Sequence, residues 1–170
     1  MIERTTAKRY FDILIDTLII NSVDAFTKSK KLRLIQHQKY YFFDTGVLNG
    51  SLGNFTVSPD RIGLLLEHLF LQLIISHAKS HDKEIRITHY RTSAGAEVDF
   101  IVEYDNQVYA IEVKASKNIG SHNLTGLKSF AEFYKNPHEA IVVYLGEDNY
   151  ERDGVQILPM LRALERICEN

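Results

Sequence analysis

Two short segments of the chain carry acidic and basic side chains in a pattern that could do chemistry. Residues 97–100 alternate charged and apolar side chains, and so do residues 112–114. Between them lies Asp105-Asn106, and both residue types tolerate the positive φ values of a two-residue hairpin turn. The sequence therefore predicts a β-hairpin in which Asp99 faces Glu112.

Opposed carboxylates on neighbouring strands are costly unless something neutralises them. Directly opposed side chains have Cβ atoms about 4.5–5.5 Å apart, and like charges at that separation destabilise a sheet. A divalent cation would compensate for this repulsion, since Mg²⁺ takes hard oxygen ligands and is often held by one or two carboxylates. In the same register, Glu97 faces Lys114. Asp99 and Glu112 are therefore candidate metal ligands.

A strand face in contact with water gives the same alternation, so the spacing alone leaves two interpretations open. In the second interpretation the charges point outward, and the apolar residues between them form the inward face. That inward face would consist of Val98, Phe100, Val102, Tyr109, Ile111 and Val113.

The composition limits the class of protein. With 170 residues, 45% of them hydrophobic, the chain can form one domain with a small appendage. A net charge of −2 argues against coating nucleic acid by charge alone, although a bound metal could still hold a phosphate backbone. The single cysteine, Cys168, cannot form an internal disulfide, and we find neither a signal peptide nor a membrane span. We expect a cytoplasmic location and no membrane partner.

Hydrophobic periodicity predicts the elements of the N-terminal part. Residues 6–17 have helical spacing, residues 39–43 form an aromatic strand, and Asp44 caps the helix that follows. The intervening residues 22–38 are poorly periodic and rich in lysine. They could contact phosphate, but a solvated connector is favoured because blocks of like charge usually face water.

An apolar helix is predicted from Ser58-Pro59 to about His77, and Glu67 and His68 lie inside it. Glu67 either lies on an exposed edge of this helix or points at a charge, because an unpaired buried carboxylate is expensive. Both possibilities remain open. For His68 we favour a surface position or a hydrogen-bonded core position over a role as a metal ligand.

The rest of the chain alternates between strand and helix patterns. Strands are predicted at residues 84–91, in the two arms of the hairpin, and at residues 140–145 and 155–158, with helices at 124–134 and 159–167. This alternation predicts an α/β fold with a mixed central β-sheet flanked by helices.

Several motifs occur in an order that resembles one known domain. They are Tyr-Phe-Phe-Asp-Thr-Gly at 41–46, the helical Glu67, and the segments 91–100 and 111–116. The chain from about Tyr41 onward resembles the C-terminal domain of a large family of bacterial and archaeal AAA+-type ATPases. That domain is usually described as being of unknown function, and it is similar to the PD-(D/E)XK nuclease superfamily.

The resemblance implies a restriction-endonuclease-like fold for residues 41–170, preceded by an N-terminal helical linker segment at residues 1–40. In that superfamily a helical Glu, a strand Asp and an E-x-K motif bind one or two Mg²⁺ ions and hydrolyse a phosphodiester. The implied catalytic set is Glu67, Asp99, Glu112 and Lys114, with Mg²⁺, or alternatively Mn²⁺, as the cofactor.

Further roles follow from the same resemblance. Glu67, Asp99 and Glu112 would be metal ligands together with the backbone carbonyl of Val113. Lys114 would contact nucleic acid. Arg91 would either contact a phosphate or serve as a surface charge at a strand end, and both interpretations remain open.

Two functions are therefore expected. The first is metal-dependent phosphodiester hydrolysis on DNA. The second is a catalytically inactive module that recognises nucleic acid or protein for an AAA+-type ATPase, since a fold does not fix its function.

No G-x-x-x-x-G-K-[ST] phosphate loop occurs in the sequence, so no Walker-type ATP site is expected in this chain. This suggests either a fragment of a longer ATPase or a stand-alone relative.

Overall fold

Eight strands and five α-helices are found in a computed structural model that describes residues 3–26 and 37–168. The strands are β1 Ile20–Ala25, β2 Lys39–Phe42, β3 Ile85–Arg91, β4 Glu97–Tyr104, β5 Gln107–Lys114, β6 Glu139–Tyr144, β7 Tyr150–Arg152 and β8 Val155–Pro159. The helices are α1 Arg4–Asp16, α2 Thr45–Leu52, α3 Ile62–Ser80, α4 Thr125–Phe133 and α5 Met160–Cys168, with a 3₁₀ turn at Ser121–Leu124.

All of these strands belong to one mixed sheet in the order β2-β1-β3-β4-β5-β6-β8-β7. The pairs β1/β3, β5/β6 and β6/β8 are parallel, and the other pairs are antiparallel. Helices α3 and α5 pack on one face of the sheet, and α4 packs on the other. The predicted α/β class, with a mixed sheet flanked by helices and an N-terminal helix, is confirmed.

The predicted hairpin is formed by β4 and β5. Its turn residues Asp105 and Asn106 have φ values of 48° and 63°, which two-residue hairpin turns of this kind require. The strands pair in the predicted register from the turn as far as Phe100 and Ile111. The predicted register pair of Asp99 and Glu112 would be the next one, and it is not among the observed pairs. Local turn chemistry thus sets the alignment of the two strands.

A β-bulge changes the pattern at the far end of β4. The register of β3 and β4 shifts between Thr88 and Tyr90, and the extra residue lies on β4, at Asp99 and Phe100. Because of the bulge, Val98 packs with α4 on the opposite face of the sheet from Phe100. The prediction that Val98 shares the inward face is therefore wrong.

Helices cover both faces of the sheet at the hairpin. Asp99 and Glu112 are consequently only 7% and 8% exposed. The interpretation of the charged residues as a strand face in contact with water is therefore wrong for these two carboxylates.

Helix α3 is the central helix of the core. It buries Phe70, Leu71 and Ile74 against the sheet. Among the described residues it is the one helix long and apolar enough to cross a membrane, a criterion that the core helices of globular proteins also meet. The predicted start at Ser58-Pro59 is wrong, because residues 59–61 form a turn and the helix begins at Ile62.

The N-terminal part confirms some predictions and corrects one. Helix α1 is present, and the carboxylate of Asp44 caps α2 by accepting from the Val47 amide at 2.9 Å. The predicted connector is wrong for residues 22–25, which belong to β1 and pair with both β2 and β3. The lysine-rich stretch at residues 27–36 lies outside the described residues.

Candidate active site

Asp99 lies at the bulge of β4, where its side chain joins two strands. Its Oδ2 accepts a hydrogen bond from the Val113 amide at 2.9 Å. Its Oδ1 lies 3.5 Å from the ammonium of Lys39. The carboxylate therefore links β4 to β5 just beyond the last regular pair of the hairpin.

Glu112 on β5 is buried, and the structure gives a partner to one of its two carboxylate oxygens. Its Oε1 accepts a hydrogen bond from the ammonium of Lys114. Its buried Oε2 has no hydrogen-bond partner among the described residues. Burial, followed by the negative charge of Asp99, raises the pKa of Glu112 to about 8, although Lys114 acts in the opposite direction. A cation or a hydrogen-bond donor beside Oε2 would satisfy this group.

Glu67 projects from α3 toward the same charges. The hydroxyl of Tyr41 donates a hydrogen bond to its Oε2 at 3.3 Å. Burial and then the negative charge of Asp99 raise the pKa of Glu67 to about 7, against the attraction of Lys39 and Lys114. The sequence left two possibilities open for Glu67, an exposed edge of the helix or a position facing a charge. The structure shows the second, since Glu67 lies near charged groups.

Its neighbour His68 is a core residue. It is 3% exposed, and its Nδ1 bonds to the carbonyl of Leu64 at 2.8 Å. This confirms the prediction of a hydrogen-bonded core histidine.

Lys39 on β2 belongs to the site, although the sequence did not single it out. Its ammonium lies 2.6 Å from Glu97 Oε1 and 3.5 Å from Asp99 Oδ1. Burial alone would lower the pKa of Lys39, but the attraction of Asp99, Glu97 and Glu67 outweighs it and raises the pKa. About 60 residues of sequence separate Lys39 from Asp99, so no local spacing could have connected them.

The predicted pairing of Glu97 with Lys114 is not found. Beyond the bulge, Glu97 pairs in register with Arg91, and its carboxylate contacts Lys39 and Arg91. Lys114 contacts Glu112 on its own strand instead.

Arg91 and Val113 occupy the rim and the floor of the site. The Arg91 side chain is half-exposed, with Nε 3.6 Å from Glu97 Oε2, so it is available to solvent at the end of β3. Val113 is buried and uses its amide to hold Asp99. A phosphate contact by Arg91 and a metal ligand role for the Val113 carbonyl stay predictions.

A cavity of about 380 Å³ opens beside the hairpin on the side of α4. Glu112, Lys114 and Glu97 line it together with His122 and Gly126. A Cβ atom at Gly126 would lie 1.8 Å from the Glu97 carbonyl oxygen, so α4 approaches the start of β4 very closely. This close approach defines one wall of the cavity.

Two carboxylates of the site, Asp99 and Glu112, are ligands of the kind that a hard divalent cation takes. Within residues 3–26 and 37–168, no three His, Cys, Asp or Glu side chains are arranged to hold a metal ion. Asp99 and Glu112 nevertheless offer carboxylate oxygens, and the unpartnered Oε2 of Glu112 is an oxygen that such an ion would satisfy. Lys39 and Lys114 neutralise the two carboxylates in the present arrangement.

Comparison with known proteins places the chain in a family. Residues 62–163 match the family described as "Domain of unknown function (DUF4143)", and residues 1–58 match a second domain of unknown function, DUF8612. Because the first match covers more than half of the chain, the protein belongs to the DUF4143 family.

Two mycobacterial proteins are also similar to the chain. It is 28% identical over 122 residues to an uncharacterized protein of Mycobacterium tuberculosis and, to the same extent, to one of Mycobacterium bovis. Each match covers 66% of this chain and 26% of the relative. The chain therefore spans about a quarter of the length of these relatives.

Proposed function

We propose that the chain is a metal-dependent phosphodiesterase of the PD-(D/E)XK type that cleaves DNA. The observation that carries the proposal is that two buried carboxylates, Asp99 and Glu112, repel each other electrostatically beside Lys114, with one oxygen of Glu112 unpartnered among the described residues. Glu112 lines the cavity and has a raised pKa, and such perturbed buried groups are typical of catalytic sites. We further propose that the chain works in the cytoplasm with an AAA+-type ATPase module.

Asp99 and Glu112 would hold Mg²⁺ or Mn²⁺, with Glu67 and the Val113 carbonyl as additional ligands. Such an ion, when bound, polarises a phosphate and lowers the pKa of a water ligand. Other residues of the chain hold the proposed ligands in place. Asp99 is fixed by the Val113 amide, and Glu67 is fixed by the Tyr41 hydroxyl.

Lys114 would stabilise negative charge on the reacting phosphate. It lies beside Glu112, and the carboxylates around it raise its pKa although burial acts in the opposite direction. A protonated lysine orients the attacking water and offsets transition-state charge, but it cannot take up a proton. The ion pair with Glu112 and the raised pKa thus favour an electrostatic role for Lys114 over that of a general base.

One observation favours a second candidate function. Lys39 and Lys114 already neutralise the carboxylates, and a site whose charges are compensated without a metal could serve recognition alone. In that case the chain would be an inactive module that binds nucleic acid or protein for its ATPase partner.

A cleavage assay separates the two functions. Supercoiled and single-stranded DNA are incubated with the chain and with Mg²⁺ or Mn²⁺. We expect cleavage by the wild type and its loss in Asp99→Ala. Asp12→Ala, which removes a surface pair with Lys8 in α1, is the matched control and should cleave like the wild type. Absence of cleavage by the folded wild-type chain with either metal would favour the recognition module.

A further inference from the structure

Lys39 connects the N-terminal strands to the carboxylates of the hairpin. It comes from β2, and its side chain is 23% exposed where it meets Glu97 and Asp99. The contact with Glu97, at 2.6 Å, is a short charge-assisted hydrogen bond. The contact with Asp99, at 3.5 Å, is too long for a strong hydrogen bond and is mainly electrostatic.

The two contacts therefore differ in how easily they break. Glu97 anchors the ammonium, because a short charge-assisted bond is about twice as strong as a neutral one. Asp99 holds the ammonium only by its charge, and its other oxygen is already occupied by the Val113 amide. A cation that approaches the free side of Asp99 thus meets the positive charge of Lys39.

We infer that Lys39 is the resident counter-ion of Asp99 and a positioning residue of the site. It neutralises Asp99 when no divalent cation is bound. It gives up this contact when a cation binds, while Glu97 keeps its ammonium at the rim. From the rim it contacts a phosphate of the bound nucleic acid. The inference rests on the proposed function, since it assumes that Asp99 is a metal ligand.

Two substitutions should change metal affinity in opposite directions. Lys39→Met removes the competing charge, so the chain should bind Mn²⁺ about tenfold more tightly in calorimetric titration. Glu97→Gln loosens the anchor and lets the ammonium move onto Asp99, so Mn²⁺ should bind several-fold more weakly. In the double variant, Glu97→Gln should have little further effect, because its influence passes through Lys39.

A second readout tests the rim position of Lys39. With saturating metal, Lys39→Met should weaken DNA binding and reduce its salt slope by about one, as expected for the loss of one phosphate contact. Lys39→Arg conserves the charge and should retain most of the wild-type binding. Lys83→Met is the matched control, because Lys83 pairs with Asp105 at 3.0 Å at the turn end of the hairpin.

The titrations distinguish failure of this inference from failure of the proposed function. Equal Mn²⁺ affinity in the wild type and Lys39→Met would overturn the role of Lys39 and leave the metal site standing. Mn²⁺ binding by Lys39→Met but not by the wild type would support the counter-ion role and contradict the proposed function. Absence of Mn²⁺ binding in both would contradict both. If Lys39→Met does not fold, unchanged affinity in Glu97→Gln would equally overturn the inference.

Discussion

At the scale of residues, the site is a small set of buried charges that compensate for one another. Asp99 uses one oxygen for the Val113 amide and the other for Lys39, and Glu112 uses one oxygen for Lys114. Breaking a buried ion pair by removing one partner is costly because the other charge is then left without compensation. A substitution in the site can therefore destabilise the fold, so its effect on activity and its effect on the free energy of unfolding must be measured separately.

Lys114 is the residue whose removal should separate catalysis from binding. We expect Lys114→Ala to lower the rate of DNA cleavage by a factor of about 10² or more, because the residue acts mainly on the transition state. Mn²⁺ affinity should not fall, since Glu112 loses a competing cation. Cleavage rate and calorimetric titration are measured on the same sample. Lys128→Ala, which removes a surface pair with Asp153, is the control.

An unchanged cleavage rate in Lys114→Ala would remove the catalytic role of this lysine. If Lys114 is instead one phosphate contact of a recognition module, its loss should weaken DNA binding only modestly.

His89 should make the stability of the fold depend on pH. It is 2% exposed, its Nε2 bonds to the His37 carbonyl, and burial lowers the pKa of the ring more than this bond raises it. A neutral buried histidine contributes stability above its unfolded pKa of about 6.5, and this contribution is lost as the pH falls through the lower folded pKa. This contribution to the free energy of unfolding should therefore be larger at about pH 7.5, above the unfolded pKa, than at about pH 5.5, below it.

The comparison variant for this prediction is His89→Gln. Glu67 and Glu112 have raised pKa values, so they favour the fold as the pH falls. The effect of His89 is therefore measured as the difference in urea unfolding between the wild type and the variant at the two pH values. A stability difference that does not change with pH would contradict the prediction.

At the scale of elements, the contact of α4 with the start of β4 forms one wall of the cavity beside the site. Gly126 permits this contact, because any Cβ there would lie 1.8 Å from the Glu97 carbonyl. Gly126→Ala must move α4 or β4 and should destabilise the fold by about 1–3 kcal/mol or more. It should also weaken Mn²⁺ binding, because Glu97 and Asp99 share the displaced strand.

The matched control is Gly50→Ala in α2, where an added Cβ meets no atom within 4 Å. This substitution should leave stability unchanged or raise it by up to about 1 kcal/mol, since Ala favours a helix over Gly. Equal stability of the two variants in denaturant titrations would contradict the close contact.

The sequence predicts the elements whose signals are local. The Asp105-Asn106 turn and the alternation around it are enough to place the hairpin and its register as far as Phe100 and Ile111. The bulge at Asp99 was missed because it depends on how β3 pairs with β4. Lys39 was missed for the same reason, since only the folded sheet brings β2 to the carboxylates.

The burial of Asp99 and Glu112 likewise depends on elements that are distant from the hairpin in sequence. Periodicity could not decide between a metal site and a strand face in contact with water for Asp99 and Glu112. That choice depends on α4 and α3, which cover opposite faces of the sheet. The short strand β7, Tyr150–Arg152, has too few residues for any periodic signal and was not predicted.

At the scale of the whole molecule, the site combines residues from both matched segments. Residues 1–58 contribute Lys39 and Tyr41, and residues 62–163 contribute Glu67, Asp99 and the remaining charges. Strands β1 and β2 join the same sheet as the hairpin. The N-terminal segment is therefore part of the scaffold of the site.

The central claim is that the buried carboxylates hold a divalent cation for DNA cleavage. The most direct measurement is the rate at which supercoiled DNA is nicked as Mn²⁺ is titrated, for the wild type and for Glu112→Gln. We predict nicking that saturates with Mn²⁺ in the wild type and falls by a factor of about 10² or more in Glu112→Gln. Nicking at equal rates by both proteins, or none by the folded wild type at any Mn²⁺ concentration, would contradict the claim.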